Sequence, residues 1–239
     1  MNFRILKGNI IDTKVDAIVL PANTKLKEGS GTSKAIFEAA GRKYLTRKCK
    51  EIGFCEMGAA VPTLGYNLEC RTIIHAVVPK WIDGKHNEYN YLSSAYASAL
   101  ELADVMECKS IAFPLLASGN NKFDKKLAFE IAVKNFEIHE GKTLKEVVLV
   151  ILGNDIANLI KDMGYVVDIL PRDLKKDAEE YKKKKEDEKT IKEEKDALKA
   201  FAVEQIKKGL EYYNNPDNRE RIIKNASTIV KTIFELKNI

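Results

Sequence analysis

Three short apolar runs constrain this chain more than any other feature. AIVLPAN from Ala17, SIAFPLLASGN from Ser110 and EVVLVILGND from Glu146 each carry a β-branched stretch into a Gly- or Asn-rich segment, and a helical pattern follows the first two. Runs of this kind read as strands buried on both faces. Strands that alternate with long helical patterns pack as a mostly parallel sheet between layers of helices. The predicted elements are strand Ala17 to Leu20, helix Ser33 to Ile52, strand Thr72 to Val78 and helix Tyr91 to Met106. After them come strand Ser110 to Leu116, helix Lys125 to His139, strand Glu146 to Leu152 and a last strand from Tyr165 to Leu170. Ligands of such folds sit at the carboxyl ends of the strands, where the Gly/Asn segments fall.

The segment after Asn23 reads EGSGTSKAIFEAAG, with Glu28, Gly29, Ser30, Gly31, Thr32 and Ser33 ahead of the apolar period Ala35, Ile36, Ala39, Ala40. A Gly-rich turn that opens a helix offers unpaired N–H groups and a positive dipole end, which suits a phosphate. The plainer reading is an ordinary cap, with Ser33 closing a helix that begins at Lys34. A second such junction follows Ser118 and Gly119. Two of them at neighbouring strand ends could clamp the two phosphates of one ligand.

Composition excludes several classes. At 239 residues and 45% hydrophobic content the chain can bury a sizeable core, and no stretch approaches the ~18 apolar residues of a membrane span. Its N-terminus, MNFRILKGNI, lacks the pattern of a secretory signal, so a cytoplasmic protein with no membrane partner is expected. Cys49, Cys55, Cys70 and Cys108 form no C-x-x-C pair and read as buried thiols, with neither metal nor cofactor implied. A net charge of +5 spread over a chain that is 31% charged makes nucleic acid an unlikely partner.

Composition shifts near Pro171. Residues 171–197 are crowded with Lys and Glu, including pairs such as Glu180/Lys184 and Glu188/Lys192, and read as a charged linker or solvated helix. In residues 198–239, Leu198, Ala202, Ile206, Leu210 and Tyr213 line one helical face, and Ile222, Ala226, Ile229, Ile233 and Leu236 line another. Pro216 lies between them. The expectation is an amphipathic helical hairpin that must bury its apolar seam on the rest of the chain, a second copy or another partner.

Several quoted segments stand together in one order: G-N-I-I from Gly8, V-D-A-I-V-L-P-A-N from Val15, the Gly-rich loop, A-I-F-E-A-A-G from Ala35, I-I-H-A-V-V-P from Ile73 and S-I-A-F-P-L-L-A-S-G from Ser110. Residues 1–170 resemble the macrodomain, an ADP-ribose-binding module. The resemblance implies a three-layer α/β/α fold with a mixed, mostly parallel sheet, followed here by a helical C-terminal extension. It also implies a cleft for ADP-ribose or a related nucleotide. The ligand-binding residues it implies are Asn9, Ile10, Ala22, Asn23, Gly29, Ser30, Gly31, Thr32 and Ser33 on one side. On the other it implies Ser118, Gly119, Asn120, Asn121, Lys122, Phe123 and Leu152. Asn23 would meet the distal ribose, the first loop the distal ribose and its phosphate, and Ser118 to Phe123 the diphosphate.

The departures bear on chemistry. Ser33 stands where hydrolytic members carry an Asp, and an unaided hydroxyl cannot serve as a base. Leu20 replaces the first Asn of the family's N-A-A-N pattern, and Lys34 replaces a small residue. His75, inside an apolar strand, reads more readily as a core histidine than as a substitute base. His86 and His139 have no nameable partner. At the adenine end Asn9 replaces an Asp and Leu152 an aromatic, which relaxes base preference. In the second loop Asn120, Asn121 and Lys122 replace apolar, aromatic and Gly positions, and Phe123 and Trp81 could edge the cleft or pack beneath it. The expectation is a binder or sensor without the usual hydrolysis. The alternative is an ADP-ribosyl hydrolase or O-acetyl-ADP-ribose deacetylase with an atypical catalytic loop.

Overall fold

A computed structural model of the protein describes residues 2–170 together with 183, 185–197, 199, 200, 203 and 204. The chain divides into two units, Met1–Pro171 and Arg172–Ile239. In the second, the described residues are helical and exposed. The expected hairpin of 198–239 lies almost wholly outside the described residues.

The first unit runs β1 (Asn2–Lys7), a 3-10 turn (Ile10–Asp12), β2 (Ala17–Ala22), α1 (Thr32–Ala40), α2 (Arg42–Ile52), β3 (Ala60–Leu64) and β4 (Thr72–Val77). It continues with α3 (Glu88–Val105), β5 (Ser110–Pro114), α4 (Lys125–Ile138), β6 (Glu146–Ile151), α5 (Asn154–Asp162) and β7 (Asp168–Ile169). The seven strands lie in the order β3-β4-β2-β5-β6-β1-β7. Every adjacent pair is parallel except β3 with β4. This is the expected mixed, mostly parallel sheet.

Its two faces are covered by different helices. Leu92, Tyr96 and Ala99 of α3, Phe129 and Phe136 of α4 and Ile160 of α5 pack on Ile74, Phe113 and Leu149. On the other face Ile36 and Phe37 of α1 and Leu45 of α2 pack on Ile18, Ile73 and Val148. Alternate strand residues therefore enter opposite cores, which is why the central strands read as unbroken apolar runs.

Several elements differ from expectation. The predicted helix Ser33 to Ile52 is two helices, because Gly41 adopts φ 89° and ends α1. A left-handed residue cannot continue a right-handed helix, and glycine takes that conformation without a Cβ penalty. The last strand shrinks to Asp168–Ile169, with Val166 left exposed. Strands β1 and β3 and helix α5 had no counterpart among the predicted elements. β3 is an outer strand that carries Pro62, a residue suited to an edge because it has no N–H to offer a further strand. All four cysteines are free and buried, as expected. Among the described residues, no helix is long and apolar enough to cross a membrane.

Candidate functional site

Chain order and spatial order place a switch point between β2 and β5. After β2 the chain turns toward α1 on one face. After β5 it turns toward α4 on the other, so the two loops leave neighbouring strands in opposite directions and a crevice opens between them. Pairing sharpens the opening. β2 pairs with β4 along its whole length but with β5 only at Ala17 and Ile18, so β2 and β5 are unpaired toward their carboxyl ends.

The first loop is held from behind. Arg42 donates to both carboxylate oxygens of Glu28, at 2.7 and 3.0 Å, and to Glu38 at 2.8 Å. Gly29 N–H donates to Ser33 Oγ at 3.0 Å, and Ser33 is buried. Ser33 is therefore not the helix cap that the plainer reading expected. The cap position is Gly31, at φ 59°, and no side chain caps α1 there. Its first-turn N–H groups, Thr32 to Lys34, donate to no group among the described residues.

Asn23 is more committed than the resemblance implies. Its Oδ1 accepts from Lys25 and Lys27 N–H, both at 3.2 Å, and its Nδ2 donates to Lys27 carbonyl at 2.7 Å. One amide hydrogen remains for a ligand. Ala22 and Ile10 are buried, so they can offer a ligand only backbone, and Thr32 is half-buried.

The second loop differs from the first at its helix. Asp124 caps α4, accepting from Leu127 N–H at 2.9 Å, so this helix end already holds a carboxylate. What the loop offers instead is its own backbone. The N–H groups of Ser118 to Asn121 donate to no group among the described residues, and a Cβ at Gly119 would meet no atom within 4 Å. Ser118 Oγ donates to Leu115 carbonyl at 2.8 Å, and Leu116 N–H donates to the Tyr96 hydroxyl at 2.9 Å. Asn121 is tied to the loop after β4, its Nδ2 donating to Pro79 carbonyl at 2.9 Å and its own carbonyl accepting from Trp81 N–H at 2.8 Å. Lys122 is exposed at φ 61°. Phe123 is buried against Trp81, edge to face at 5.1 Å, so it packs as a plug beneath the loop.

At the ends of β1 and β6, parallel pairing brings Asn9 and Leu152 to one edge. Asn9 Oδ1 accepts from Ile11 N–H at 3.5 Å, and Leu152 is 77% exposed. These side chains lie beyond β5 from the crevice, in the strand order.

The histidines find partners that sequence did not supply. His86 Nδ1 lies 2.9 Å from Asp83, in the loop after β4, and His139 Nε2 lies 2.8 Å from Asp104, which Thr143 and Leu144 N–H also reach. His139 belongs to the segment leading into β6, at the opposite end of the sheet from the loops. Asp83, His86 and Glu88 have ligating atoms within 4.8 Å of one another. Glu88 is spent, however, because its carboxylate accepts four backbone N–H groups, from Ile82, Asp83, Gly84 and His86.

His75 is sealed in the core. Its Nε2 lies 2.9 Å from Thr63 Oγ1, and its Nδ1 has no partner among the described residues. Burial lowers its pKa from 6.5 to about 4. The unfolded chain therefore takes up a proton that the folded chain refuses, and stability falls as pH drops from 6.5 toward 4, by about 3 kcal/mol in total. Asp104 and Glu88 act lower. Burial raises both, but the backbone N–H groups each accepts outweigh it, so their contribution is withdrawn only below about pH 4. Urea melts at pH 7 and pH 5 should show the loss, and His75→Leu should flatten it; an equally steep profile in that variant would refute the assignment.

Known proteins similar to this chain share one family. A family model described as Macro domain matches residues 19–132. The chain is 41% identical over 156 residues to a macro domain-containing protein of Caldanaerobacter subterraneus subsp. tengcongensis, covering 63% of this chain and 89% of that one. It is 43% identical over 134 residues, 54% of this chain and 75% of the other, to a protein of Escherichia fergusonii named O-acetyl-ADP-ribose deacetylase. A Trypanosoma brucei macrodomain in complex with ADP-ribose superposes with a TM-score of 0.60 at 28% identity, over 68% of each chain. The chain belongs to the macrodomain family.

Proposed function

We propose that the crevice between β2 and β5 binds ADP-ribose or a closely related nucleotide derivative, as a cytoplasmic binder or sensor without the hydrolysis usual in this family. The observation that carries the reading is the pair of loops at the parted strand ends, each with unpaired backbone N–H groups. Such groups suit a diphosphate, and the ADP-ribose complex of the related Trypanosoma macrodomain supports that ligand. Asn23 would address the distal ribose with its remaining amide hydrogen. Ser118 to Asn120 would wrap the phosphates, and Asn9 with Leu152 would edge the base.

Calorimetric titration tests this. The affinity for ADP-ribose is expected in the micromolar to sub-millimolar range, roughly −5 to −8 kcal/mol, with AMP weaker because it engages one loop only. Equal affinities for the two, or none for either, would count against the reading. A second reading, deacetylation of O-acetyl-ADP-ribose, is favoured by the name of the Escherichia relative.

For the C-terminal part we propose a charged segment, 171–197, followed by a helical hairpin, 198–239, through which the chain self-associates. Each buried Ile or Leu of its seam is worth ~1.5–3 kcal/mol, too much to leave in water. Light scattering of the full-length chain should give a mass above the monomer. A monomeric mass across concentration removes the proposal.

A further inference from the structure

The second loop leaves β5 through a turn that its own residues do not favour. The strand ends at Pro114, Leu115 to Ala117 stay buried, and Ala117 adopts φ 60°. That left-handed conformation is costly for a residue with a Cβ, so the surroundings must hold it. Ser118 Oγ donates to Leu115 carbonyl at 2.8 Å and Phe123 N–H to Ala117 carbonyl at 3.2 Å, both within the segment itself. A third bond comes from α3: Leu116 N–H donates to the Tyr96 hydroxyl at 2.9 Å. The Asn121 contacts hold the far side of the loop, and Tyr96 holds the near side. Its ring is fully buried, 5.4 Å from Phe113 of β5 and edge to face at 5.6 Å with Phe136 of α4. A ring clamped in this way keeps its hydroxyl in one place. Core packing at position 96 would be met equally by phenylalanine; the oxygen is spent on loop backbone.

We propose that Tyr96 is a positioning residue for the crevice. Sealed in the core, it touches no ligand, and by pinning Leu116 N–H it holds the left-handed turn at Ala117 that fixes where the N–H groups of Ser118 to Asn121 stand. The inference rests on the nucleotide reading above. Without the hydroxyl, Leu116 N–H becomes a buried donor left unpaired. The loop escapes that cost by shifting, and Ala117 then relaxes out of the left-handed region. A nucleotide must select the molecules that still hold the turn, so its apparent affinity falls by their fraction.

Calorimetry with ADP-ribose and the full-length chain, beside thermal melts, tests this. Tyr96→Phe should weaken binding about 5- to 20-fold, the scale of one buried donor left unpaired. Val147→Ala opens a cavity in the same core but at the amino end of β6, so it should lower the melting temperature and leave affinity within about twofold. That comparison separates positioning from lost stability. Ala117→Gly supplies the left-handed turn without a Cβ, and in the Tyr96→Phe background it should return affinity to within about threefold of wild type. A hydroxyl that only stabilised the core would show no such rescue. Amide exchange of the ligand-free protein reads the loop directly: Tyr96→Phe should speed exchange across residues 116–121. Unchanged affinity or unchanged exchange in Tyr96→Phe, a loss that Ala117→Gly does not recover, or an equal loss in Val147→Ala overturns the positioning role alone. A wild-type chain that binds no ADP-ribose overturns the nucleotide reading, and this role falls with it.

Discussion

Gly119→Leu is expected to weaken ADP-ribose binding at least about 100-fold, about 3 kcal/mol, while leaving the melting temperature of the protein where it was. A Cβ at this position meets no atom beyond its chain neighbours within 4 Å, and the backbone there is not in the left-handed region, so the folded chain accepts a Cβ without clash or strain. On the proposed nucleotide reading, the space it fills is the space a phosphate needs in order to reach the N–H groups of Ser118 to Asn121. Those donors act only at hydrogen-bond distance, and a branched side chain keeps the phosphate out. Gly31 would make a poorer test. Its φ of 59° strains any side chain, so lost binding could not be told from a distorted loop. Calorimetry beside a thermal melt decides the matter. Undiminished affinity in a folded Gly119→Leu protein would mean that the second loop is not where the ligand lies.

Removal of ADP-ribose from mono-ADP-ribosylated Asp or Glu is expected to be absent, or at least ~100-fold below an active family member, the scale of a missing general base. Ser33 carries no carboxylate, and its oxygen accepts the Gly29 N–H, so it shapes the loop and, unaided, cannot take the proton of an attacking water. Two of the three histidines do not make up the deficit. His75 is sealed in the core, and His139 is paired to Asp104 at the far end of the sheet. His86, held by Asp83 through Nδ1, keeps Nε2 for other use. Single-turnover assays on a modified peptide and on O-acetyl-ADP-ribose separate the cases. Robust turnover by the wild-type chain would favour the hydrolase or deacetylase, and loss of that turnover in His86→Ala would then place the base.

The fold was largely legible because its central strands are buried on both faces. A strand in that position can hold little but apolar and β-branched residues, so Ala17 to Leu20, Thr72 to Val78 and Glu146 to Leu152 announce themselves without context. The outer elements could not. β3 is half-exposed and interrupted by Pro62, and β1 carries Arg4 and Lys7 among its apolar residues, so neither offers a clean period. Gly41 lay inside a continuous helical pattern, and only its positive φ shows that the chain turns there.

The same division runs through the candidate site. Which residues stand at strand ends is a local property, and it brought out both glycine loops and Asn23. Which of their groups are spent is not local. The Asn121 side-chain amide and carbonyl engage the loop after β4, Ser33 Oγ accepts from Gly29, Phe123 packs on Trp81 and Asp124 caps α4. A hydrogen bond from Asn120 Nδ2 to Ser30 Oγ joins positions ninety residues apart. The sequence determined the central strands, the succession of strands and loops along the chain, and the residue types at the strand ends, because burial and backbone conformation limit what each position can hold. Only the tertiary structure decided which donors remain unpaired and how the two loops meet, because a hydrogen bond between distant residues depends on strand order, and no local pattern encodes it.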